Sequence, residues 1–598
     1  SITDWFKLLT DGVHRHGAAV MCQITHMGRR TAWDDGHWLP VIGPSGVRER
    51  AHRSTPKTME IEDIDRVVVQ FGDAALRCKE GGFDGIELLS HSHLLGQFMS
   101  PLINRRDDDY GGPLENRLRL TMRVLEHVRE VVGSQFIIGM RITGDELVEG
   151  GLNDTECVEI ARLLSQSGAV DFLNVLAGAP YDDLGLAGWV SPMGMPSASH
   201  LTIAGQIKKA VDIPIIHAGG MADIATARHA IVEGHVDLIG MTRAQIADPH
   251  LVNKLARGEE NQIRPCVGLG YCVDRVNQGK QAVCGHNAAA GREATLDHVL
   301  EKANTKKKVV VVGGGPGGLE ASRVSAERGH DVVLIEASGR LGGQLNLASK
   351  GVTRKQIWGV ADWLIQEVNR LGVDVRLNTF VEAEDLEQEN PDVVIIATGG
   401  WPELPDTPGQ DHLTSSWEVL AGEVRLSGEV LLFDENGDQP AGVCADVMAK
   451  SGCMVKLITP DRTVAQELGP TNSAVVLGDL AKRGVTFECF LDLVSVLNEG
   501  NRKKVTLQHV LTGHQTEIVV DYVVVENGTM PMDQLYHDLK GQSRNLGQLD
   551  HQALIDGDDP FVEIKPDAGF SLARIGDAVS SRNIHAAIYD AMRVCKNI

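Results

Sequence analysis

Three closely spaced cysteines stand out among the residues that could do chemistry. Cys266, Cys272 and Cys284 lie within nineteen residues, spaced C-x5-C-x11-C, in a stretch that begins Arg264-Pro-Cys-Val-Gly-Leu-Gly-Tyr-Cys. Thiolates this close together in a chain that shows no secretory signal pattern usually hold a metal or a cluster rather than a disulfide. The stretch lies between repeating strand–helix units and a dinucleotide-binding pattern. We therefore expect it to carry electrons between the two regions or out to a partner.

A glycine turn of the dinucleotide-binding type follows the cysteines. Gly313-x-Gly315-x-x-Gly318 comes directly after an apolar strand expected at 309–312 and opens a helix. The glycines permit a tight turn and let the backbone approach a pyrophosphate, which lies on the helix N-terminus. Glu336 ends the next strand, where a carboxylate accepts the ribose hydroxyls and disfavours a 2′-phosphate. The sequence therefore predicts a site for an adenine dinucleotide or ADP. Its expected residues are Gly313, Gly315, Pro316, Gly318, Glu336, Gly342, Gly343, Gln344, Thr398, Gly399, Gly576 and Asp577.

An enzyme of this kind that also used NAD(P)H would need a second glycine turn to bind it. The corresponding part of this chain differs from the first turn in composition. It reads Gly428-Glu-Val-Leu-Leu-Phe-Asp-Glu-Asn-Gly-Asp-Gln-Pro-Ala-Gly, an apolar strand followed by an acidic loop. Asp434, Glu435 and Asp438 would put negative charge where a pyrophosphate has to lie. We therefore expect this region not to bind NAD(P)H. The alternative is a degenerate loop that still works.

Polar residues also follow the apolar strands in the first part of the chain. Barrel enzymes keep their active sites at the carboxyl ends of parallel strands, and the last two loops often hold a phosphate. A Gln can pair with the pyrimidine edge of a flavin, and an Arg beside that edge stabilises the anionic reduced form. The joint placement at successive strand ends predicts an FMN site made of Gln23, Arg141, Gly219, Gly220, Met241, Thr242 and Arg243.

These groups need a scaffold of parallel strands and helices. Short apolar strands alternate with longer amphipathic helices, a pattern that means parallel strands joined by helical crossovers. The strands are expected at 18–24, 85–90, 136–143, 171–177, 214–218 and 237–241, and the helices at 3–16, 61–80, 114–132, 154–166, 198–210 and 223–233. The pattern suits a (β/α)8 TIM barrel, which needs eight strands, so about two are expected to be missing at the N-terminus. An open doubly wound sheet is the alternative.

The length of 598 residues allows two to four domains of α/β type. We expect an N-terminally incomplete FMN-binding barrel at 1–257 and a Cys-rich segment with a linker at 258–305. A Rossmann-like FAD- or ADP-binding domain is expected at 306–425 and 525–598. A degenerate NAD(P)-binding-like α/β domain is expected between its two parts, at 426–524.

The composition limits the partners. The formal net charge of −24 would repel nucleic acid and anionic membrane surfaces. No apolar run reaches the roughly 20 residues that span a bilayer, so we expect no membrane partner and a cytoplasmic location. The other seven cysteines are scattered, mostly among apolar neighbours, and are interpreted as reduced packing residues.

At these motifs the chain resembles the Old Yellow Enzyme superfamily. It is similar to the multidomain branch that contains trimethylamine, dimethylamine and histamine dehydrogenases and 2,4-dienoyl-CoA reductase. The resemblance covers essentially the whole chain and rests on the ordered set QxxHxGR, QFxSPxxNxRxDxYGGxxENR, the cysteine run, GGGPGG and IGDA. It implies FMN in the barrel, a [4Fe-4S] iron–sulfur cluster at the cysteines, FAD or ADP in the next domain, and a homodimer.

The chain departs from the family at the cluster. The family's run has a fourth cysteine where this chain has Leu269, and a leucine side chain has no atom that can ligate iron. The site could hold a cluster with one non-cysteine ligand, a three-iron cluster, or no cluster. His286, two residues after Cys284, is a candidate substitute ligand. Zinc held by three cysteines and a histidine is the alternative metal.

The resemblance also implies the catalytic residues. Simple reductases of the superfamily have a His where this chain has Leu88, whereas the amine dehydrogenases have a Tyr there and a His at the position of His91. His91 is therefore expected to face the flavin. Asp183 lies roughly where the amine dehydrogenases place an active-site Asp, and Tyr181 nearby is expected to form an aromatic wall for an alkylamine.

The expected function is oxidation of a secondary or tertiary N-methylamine, with an N-methylated amino acid among the candidate substrates. Electrons would leave through FMN and the cluster to an electron-transferring flavoprotein or a similar acceptor. The alternative is an NAD(P)H-dependent enoate or 2,4-dienoyl-CoA reductase, which the acidic second turn and Leu88 oppose. A non-catalytic electron-transfer subunit is a third interpretation, which the intact FMN-side residues oppose.

Overall fold

The computed structural model describes residues 1–34 and 38–598. The chain divides into two compact units. The first comprises residues 1–191 and 195–242, and the second comprises residues 192–194 and 243–598.

The first unit is an alternation of strands and helices. Its strands are β1 Met21–Ile24, β2 Ile42–Gly43, β3 Lys57–Thr58, β4 Gly85–Leu89, β5 Ile137–Thr143, β6 Phe172–Leu176, β7 Ile215–His217 and β8 Leu238–Ile239. Its helices are α1 Ile2–His14, α2 Ile61–Glu80, α3 Leu94–Met99, α4 Leu114–Val132, α5 Asp154–Gln166, α6 Asp183–Val190, α7 Leu201–Lys208 and α8 Ile224–Val232. The helix α9, Thr242–Ala247, begins in the first unit and continues into the second.

All but two of these strands form one parallel sheet. Within the described residues the order is β1-β4-β5-β6-β7-β8, and β2 pairs with β3 separately. The strands are apolar and the helices bury one apolar stripe each, for example Ile64, Val67 and Phe71 on α2. Predicted strands and helices are confirmed in type and order, and α2, α4 and α5 have the predicted bounds. The helices α3 and α6 are not among the predicted elements.

The second unit contains the remaining elements. Its strands are β9 Lys308–Val312, β10 Asp331–Ile335, β11 Asp374–Arg376, β12 Val393–Ile396, β13 Gly400–Pro402, β14 Leu413–Ser415, β15 Glu429–Asp434, β16 Met454–Ile458, β17 Thr486–Glu488, β18 Leu491–Glu499, β19 Arg502–His509, β20 Gln515–Val520, β21 Tyr522–Glu526, β22 Thr529–Pro531 and β23 Ser571–Arg574. Its helices are α10 Leu251–Ala256, α11 Tyr271–Asn277, α12 Pro316–Glu327, α13 Leu345–Ala348, α14 Trp358–Arg370, α15 Ala383–Gln388, α16 Ser416–Ala421, α17 Gln439–Lys450, α18 Pro470–Lys482, α19 Gln534–Lys540, α20 His551–Asp556 and α21 Ile584–Cys595. Short 3-10 helices lie at Glu260–Gln262, Val352–Ile357, Gln410–His412 and Gly576–Ala578.

Two parallel sheets organise this second unit. One has the order β11-β10-β9-β12-β23, and the other has the order β14-β21-β15-β16-β17. The antiparallel strands β18-β19-β20 form a third sheet, and β13 pairs with β22. The second parallel sheet recruits β14 and β21, so it extends beyond the boundaries 426 and 524 expected for the inserted domain. The return of the chain to a β-strand and a helix near residue 573 closes the first sheet through β23.

No helix in the two described ranges is both long enough and apolar enough to cross a lipid bilayer.

Candidate active site and cofactor sites

Polar side chains meet inside the sheet of the first unit. Gln23 and Glu87 are register partners on β1 and β4, and Arg141 and Asn174 are register partners on β5 and β6. The Glu87 carboxylate accepts hydrogen bonds from Gln23 Nε2 and from Asn174 Nδ2, the latter at 2.8 Å. Glu87 therefore holds both amides in defined orientations, one from the adjacent strand β1 and one from β6, on the far side of β5.

Arg141 is suited to a flavin's electron-rich edge. Burial lowers the pKa of its guanidinium, an effect that the Glu87 carboxylate partly offsets. Its Nε atom is buried and has no hydrogen-bond partner in the described protein. An unpaired buried donor is costly unless a ligand binds it. The donor set of Gln23, Asn174 and Arg141 therefore fits the polar edge of a flavin, and Arg141 has a buried donor to offer it.

The remaining expected FMN residues follow the last two strands. Gly219 and Gly220 come after β7, and Met241 and Thr242 come after β8. Arg243 is the first residue of the second unit in this part of the chain, one position into α9. The Gly219 carbonyl oxygen lies 3.1 Å from Nε2 of the buried His217, which fixes the start of the loop after β7.

His91 lies in the loop after β4 and is fully buried. Its Nδ1 is 2.8 Å from Thr143 Oγ1, and its Nε2 is buried without a hydrogen-bond partner among the described residues. Burial, with the nearby charge of Arg141, lowers the pKa of His91 well below its usual range. The ring is therefore neutral at physiological pH. When Nδ1 donates its proton to Thr143, Nε2 carries a lone pair that can accept a proton or a hydrogen bond.

The aromatic partner of His91 is Trp189. The two rings lie 5.5 Å apart, centroid to centroid, with a tilt of 36°. Trp189 belongs to α6, the helix whose first turn contains Asp183. Asp183 itself is exposed, and no hydrogen bond between it and His91 occurs in the described structure. Of the residues on this helix, the structure brings Trp189 to His91, and it leaves Asp183 at the surface.

Tyr181 is anchored by a buried acid. Its hydroxyl donates to Glu146 Oε1 at 2.6 Å, and Glu146 Oε2 accepts from Ser100 Oγ and from the Leu152 N–H, both at 2.8 Å. Burial raises the pKa of Glu146 and of Tyr181. The Arg29 guanidinium lies 5.3 Å from the Tyr181 ring centroid. The Tyr181 side chain is therefore held in place, and its hydroxyl already has a partner.

The long motif that follows His91 supports the loops. Asn104 Nδ2 donates to the carbonyls of Phe98 and Tyr110, at 2.7 and 2.8 Å. Arg106 donates to the carbonyls of Pro44 and Met59. Asn104 and Arg106 thus use their donors on backbone carbonyls and, for Arg106, on Asp108, so they brace the loops of this part of the chain.

The glycine turn of the second unit packs as the sequence predicts. A Cβ at Gly313 would lie 2.3 Å from the Ala397 carbonyl oxygen, and one at Gly318 would lie 1.8 Å from the Gly313 oxygen. At Gly315 the nearest atom is the Gly343 Cα at 3.9 Å, so this position opens onto free space. Gly315 caps α12, whose first turn begins with Pro316. Glu336 Oε2 accepts the Gly314 N–H at 2.7 Å, which places the carboxylate at the turn.

A cavity of about 680 Å³ borders this turn. Gln344 Nε2 donates to Asp577 Oδ2 at 2.9 Å, and burial raises the pKa of Asp577. These residues fit a bound adenine nucleotide, because an open glycine position, a helix N-terminus and an acid converge on one cavity. The expected residues that line it are Gly313, Gly315, Pro316, Glu336, Gly343, Gln344, Thr398, Gly399, Gly576 and Asp577. Gly318 and Gly342 shape the turn beside the cavity instead.

In the acidic loop after β15, the loop's own carboxylates accept backbone N–H groups at and just before the start of α17. Asp438 Oδ1 accepts the Gln439 N–H at 2.7 Å, and Asp434 Oδ1 accepts the Gly437 N–H at 2.9 Å. Burial, with the charge of Glu526, raises the pKa of Asp434 to about 7. Glycines remain at 437 and 442, so what the loop lacks is the middle glycine, where Gln439 stands.

The three cysteines of the connecting segment lie near one another. Burial raises the pKa of Cys284 to about 11, and the charges of Cys266 and Cys272 add to this rise. Leu269 fills the space beside Cys284, since a Cβ at Gly285 would lie 2.5 Å from Leu269 Cδ1. In the ranges that the structure describes, no three His, Cys, Asp or Glu side chains are grouped around a single-ion site. The segment thus offers three cysteines as candidate cluster ligands, with Leu269 at the position of the family's fourth.

His286 has a structural environment. Its Nδ1 contacts the Pro265 carbonyl at 3.2 Å, and its ring packs edge-on against Trp363 with centroids 5.1 Å apart. Its Nε2 is buried without a partner among the described residues.

Sequence reasoning missed several residues of the first unit. Glu87 and Asn174 could have been found, because each is a single polar residue within an otherwise apolar strand. Glu146 and Trp189 gave no signal, because their neighbours come from distant parts of the chain. Arg30 is the other residue missed. It is buried beside the site, although it follows the Arg29 of a recognised motif.

Comparison with known proteins agrees with this architecture. Residues 1–262 match the family model "NADH:flavin oxidoreductase / NADH oxidase family", and residues 255–393 and 307–431 match "Pyridine nucleotide-disulphide oxidoreductase". A probable N-methylproline demethylase of Rhizobium meliloti (strain 1021) is 45% identical over 100% of this chain and 88% of its own. An N,N-dimethylglycine/sarcosine dehydrogenase of Chromohalobacter salexigens is 44% identical over 99% of this chain and 88% of its own.

A solved structure has the same fold over nearly the whole chain. Histamine dehydrogenase from Rhizobium sp. 4-9 superimposes with a TM-score of 0.88 at 26% identity, covering 99% of this chain and 85% of that one. The first unit is thus a TIM-barrel domain of the FMN-binding type, and a Rossmann-like domain follows it. The chain is an FMN-dependent oxidoreductase. It belongs to the Old Yellow Enzyme superfamily, in the multidomain branch.

Proposed function

We propose that this protein oxidises the N-methyl group of a secondary or tertiary amine, and that N-methylated amino acids are among its substrates. The observation that carries the proposal is His91, a neutral buried imidazole whose Nε2 has no hydrogen-bond partner among the described residues and whose ring lies 5.5 Å from the Trp189 ring. The names of the two curated relatives support the same class of substrate.

The side chains have separable tasks in this reaction. FMN, held by Gln23, Arg141 and the loops after β7 and β8, would accept the hydride equivalent from the N-methyl carbon. His91 Nε2 accepts a hydrogen bond from the amine, and its low pKa keeps the ring neutral beside the substrate. The site therefore favours the neutral amine, because only the neutral amine has a lone pair to drive the oxidation. Trp189 and Tyr181 exclude water from the alkyl groups.

The products follow from the balance of atoms. Loss of hydride from an N-methyl group leaves an iminium ion. Addition of water to its carbon and cleavage of the C–N bond give the demethylated amine, formaldehyde and a proton. The two electrons leave through the protein's own carriers.

We propose that the carriers are an iron–sulfur cluster on Cys266, Cys272 and Cys284 and an FAD or ADP group at the glycine turn. An electron-transferring flavoprotein or similar acceptor would receive the electrons, with the enzyme a cytoplasmic homodimer. Trp401 and Trp417 also line this cavity. Iron and labile sulfide are expected in anaerobically purified protein. Their absence would remove the cluster from the proposal.

The decisive experiment is anaerobic reduction of the bound flavin. N-methylated amines and NAD(P)H are added in parallel to the holoenzyme, and the flavin absorbance is followed. Bleaching by an amine but not by NAD(P)H is expected. His91→Ala should lower amine turnover about tenfold or more. His91→Gln keeps a hydrogen-bond acceptor, so it should recover part of the activity that His91→Ala loses. Unchanged kcat/KM in both variants would exclude His91 from the role.

An NAD(P)H-dependent enoate reductase is the second candidate. The family models that match both halves of the chain favour it, because both descriptions name a nicotinamide or pyridine nucleotide. Leu88 and the carboxylates at the start of α17 oppose it. Rapid bleaching by NAD(P)H alone, with turnover of an enoate, would establish this function instead.

A further inference from the structure

Arg30 is a buried cation that the fold does not use. Its side chain is 8% exposed, and its Nε and Nη1 atoms are buried with no hydrogen-bond partner among the described residues. Charged side chains are almost never buried without a partner, because the lost hydration has to be replaced. A guanidinium left with two free donors in a site is therefore a binding group for an anion.

The neighbouring Arg29 provides the contrast. Its Nη1 donates to the carbonyls of Val47 and Arg48, at 3.1 and 3.0 Å, and its backbone N–H donates to Gln97 Oε1. Arg29 thus ties the loop together. Arg30 is next to it in the chain and has the same chemistry, but it makes none of these contacts.

The loop that contains Arg30 adjoins the loop of His91. The two loops follow the adjacent strands β1 and β4, and the Leu94 N–H donates to the His26 carbonyl at 3.0 Å. Thr25 Oγ1 lies 3.0 Å from His93 Nδ1. The positive charge of Arg30 is one of the causes that lower the pKa of His91 and of His93.

The charged groups around Arg30 do not pair with it. Arg29 and Arg30 repel each other, and the acid that most affects Arg30 is Glu49. Glu49 Oε2 accepts from the backbone N–H of His52 and contacts its Nδ1, and Glu49 Oε1 is buried without a hydrogen-bond partner among the described residues. No ion pair within 4.0 Å joins Glu49 to Arg30 in the described structure.

We propose that Arg30 binds the carboxylate of the substrate and thereby selects N-methylated amino acids over amines without an acid group. The inference rests on the proposed function, with the amine at His91. The carboxylate and the amine of an α-amino acid are separated by one carbon, so they need a cation and a neutral base on adjoining loops. Arg30 and His91 supply this pair.

The test compares two substrates that differ only in the acid group. The experiment measures kcat and KM for N-methylproline and for N-methylpyrrolidine with the unsubstituted holoenzyme, with Arg30→Met and with Arg30→Lys. For Arg30→Met, kcat/KM for N-methylproline divided by kcat/KM for N-methylpyrrolidine should fall about 100-fold. The fall should come from a higher KM for N-methylproline, with kcat unchanged. Arg30→Lys should restore part of the ratio. An equal loss for both amines would overturn the proposal.

A binding measurement separates this inference from the proposed function. Calorimetric titration with pyrrole-2-carboxylate, which has no oxidisable N-methyl group, should show binding that Arg30→Met weakens by a similar factor. If neither amine reduces the flavin, the proposed function fails, and the titration alone decides the role of Arg30. Glu49→Gln is the matched control. If it reproduces the loss seen in Arg30→Met, Arg30 is a structural partner of Glu49 and the proposal is wrong.

Discussion

The second unit contains the same strand–turn–helix arrangement twice, with different chemistry at the two turns. The first turn reads Gly-Gly-Gly-Pro-Gly-Gly from residue 313, and the second reads Gly-Asp-Gln-Pro-Ala-Gly from residue 437. The outer glycines are present in both. The middle glycine, Gly315, opens onto the cavity, whereas Gln439 stands at that position of the second turn.

The difference shows which glycines serve the fold and which serve the ligand. A Cβ at Gly318 would collide with backbone, so packing requires this glycine whatever is bound. In the second turn, Asp438 and Asp434 accept the N–H groups that a phosphate would otherwise bind. The second helix N-terminus is thus satisfied by its own chain. The first is available to an anion.

The largest effect is expected from Gly318→Ala. The added Cβ has to displace the Gly313 carbonyl, so the turn cannot form as it is, and we expect loss of most bound adenine nucleotide with about 3 kcal/mol or more of stability. Nucleotide released on heating and thermal unfolding measure the two effects. Gly442→Ala is the control, because its Cβ would meet only the end of the Val476 side chain, at 2.9 Å. Equal behaviour of the two variants would show that the turns do not differ in this way.

A smaller effect is expected from Glu336→Gln. The amide oxygen can still accept the Gly314 N–H, but the charge that favours ribose hydroxyls is lost. Nucleotide affinity should fall about 10- to 100-fold. Retention of nucleotide after gel filtration at low concentration measures the change. Glu435→Gln in the second turn should leave the nucleotide content as it is, and a loss there would mean that the second turn also contributes to the site.

The double variant Asp438→Ser and Gln439→Gly tests the comparison by making the second turn more like the first. It removes one carboxylate, keeps an N-cap for α17 and restores the middle glycine. We expect reduction of the bound flavin by NADH to become roughly fivefold faster, as the second helix N-terminus becomes available to a pyrophosphate. Stopped-flow absorbance measures the rate. No change in rate would show that the acidic turn is not what opposes NADH.

The smallest effect is a pH dependence in the second turn. The pKa of Asp434 is about 7 in the folded state, above the ordinary value of 3.8, so the folded chain keeps a proton that the unfolded chain releases. The free energy of unfolding therefore falls as pH rises from about 4 to 7. Asp434→Asn removes this loss, and at pH 8 the variant should be more stable by about 1–3 kcal/mol.

Chemical denaturation at pH 5 and pH 8 measures this difference. The amide oxygen that Asp434→Asn introduces can still accept from the Gly437 N–H, so the turn is preserved. A stability difference of the same size at both pH values would exclude titration of Asp434 as the cause.

Much of the fold could be predicted because it depends on local pattern. The amphipathic period predicts α2, α4 and α5 with the observed bounds. The alternation of apolar strands with helices predicts the parallel sheets. The candidate site was less accessible. The helix α6 was missed because it lies in a segment where the apolar period is weak, and the orientation of that helix decides that Trp189 rather than Asp183 meets His91.

The sequence by itself determined the glycine turn at 313–318, the acidic loop that follows the later strand, and the three clustered thiols, because glycine geometry and short spacing act within a few residues. Only the tertiary structure decided which polar groups converge. Glu87 joins Gln23 to Asn174 across 64 and 87 residues of chain, and the unpaired state of Arg30 depends on loops that follow different strands. Burial, hydrogen bonding and charge are properties of neighbours in space, so a residue's chemistry becomes readable when the fold has chosen those neighbours.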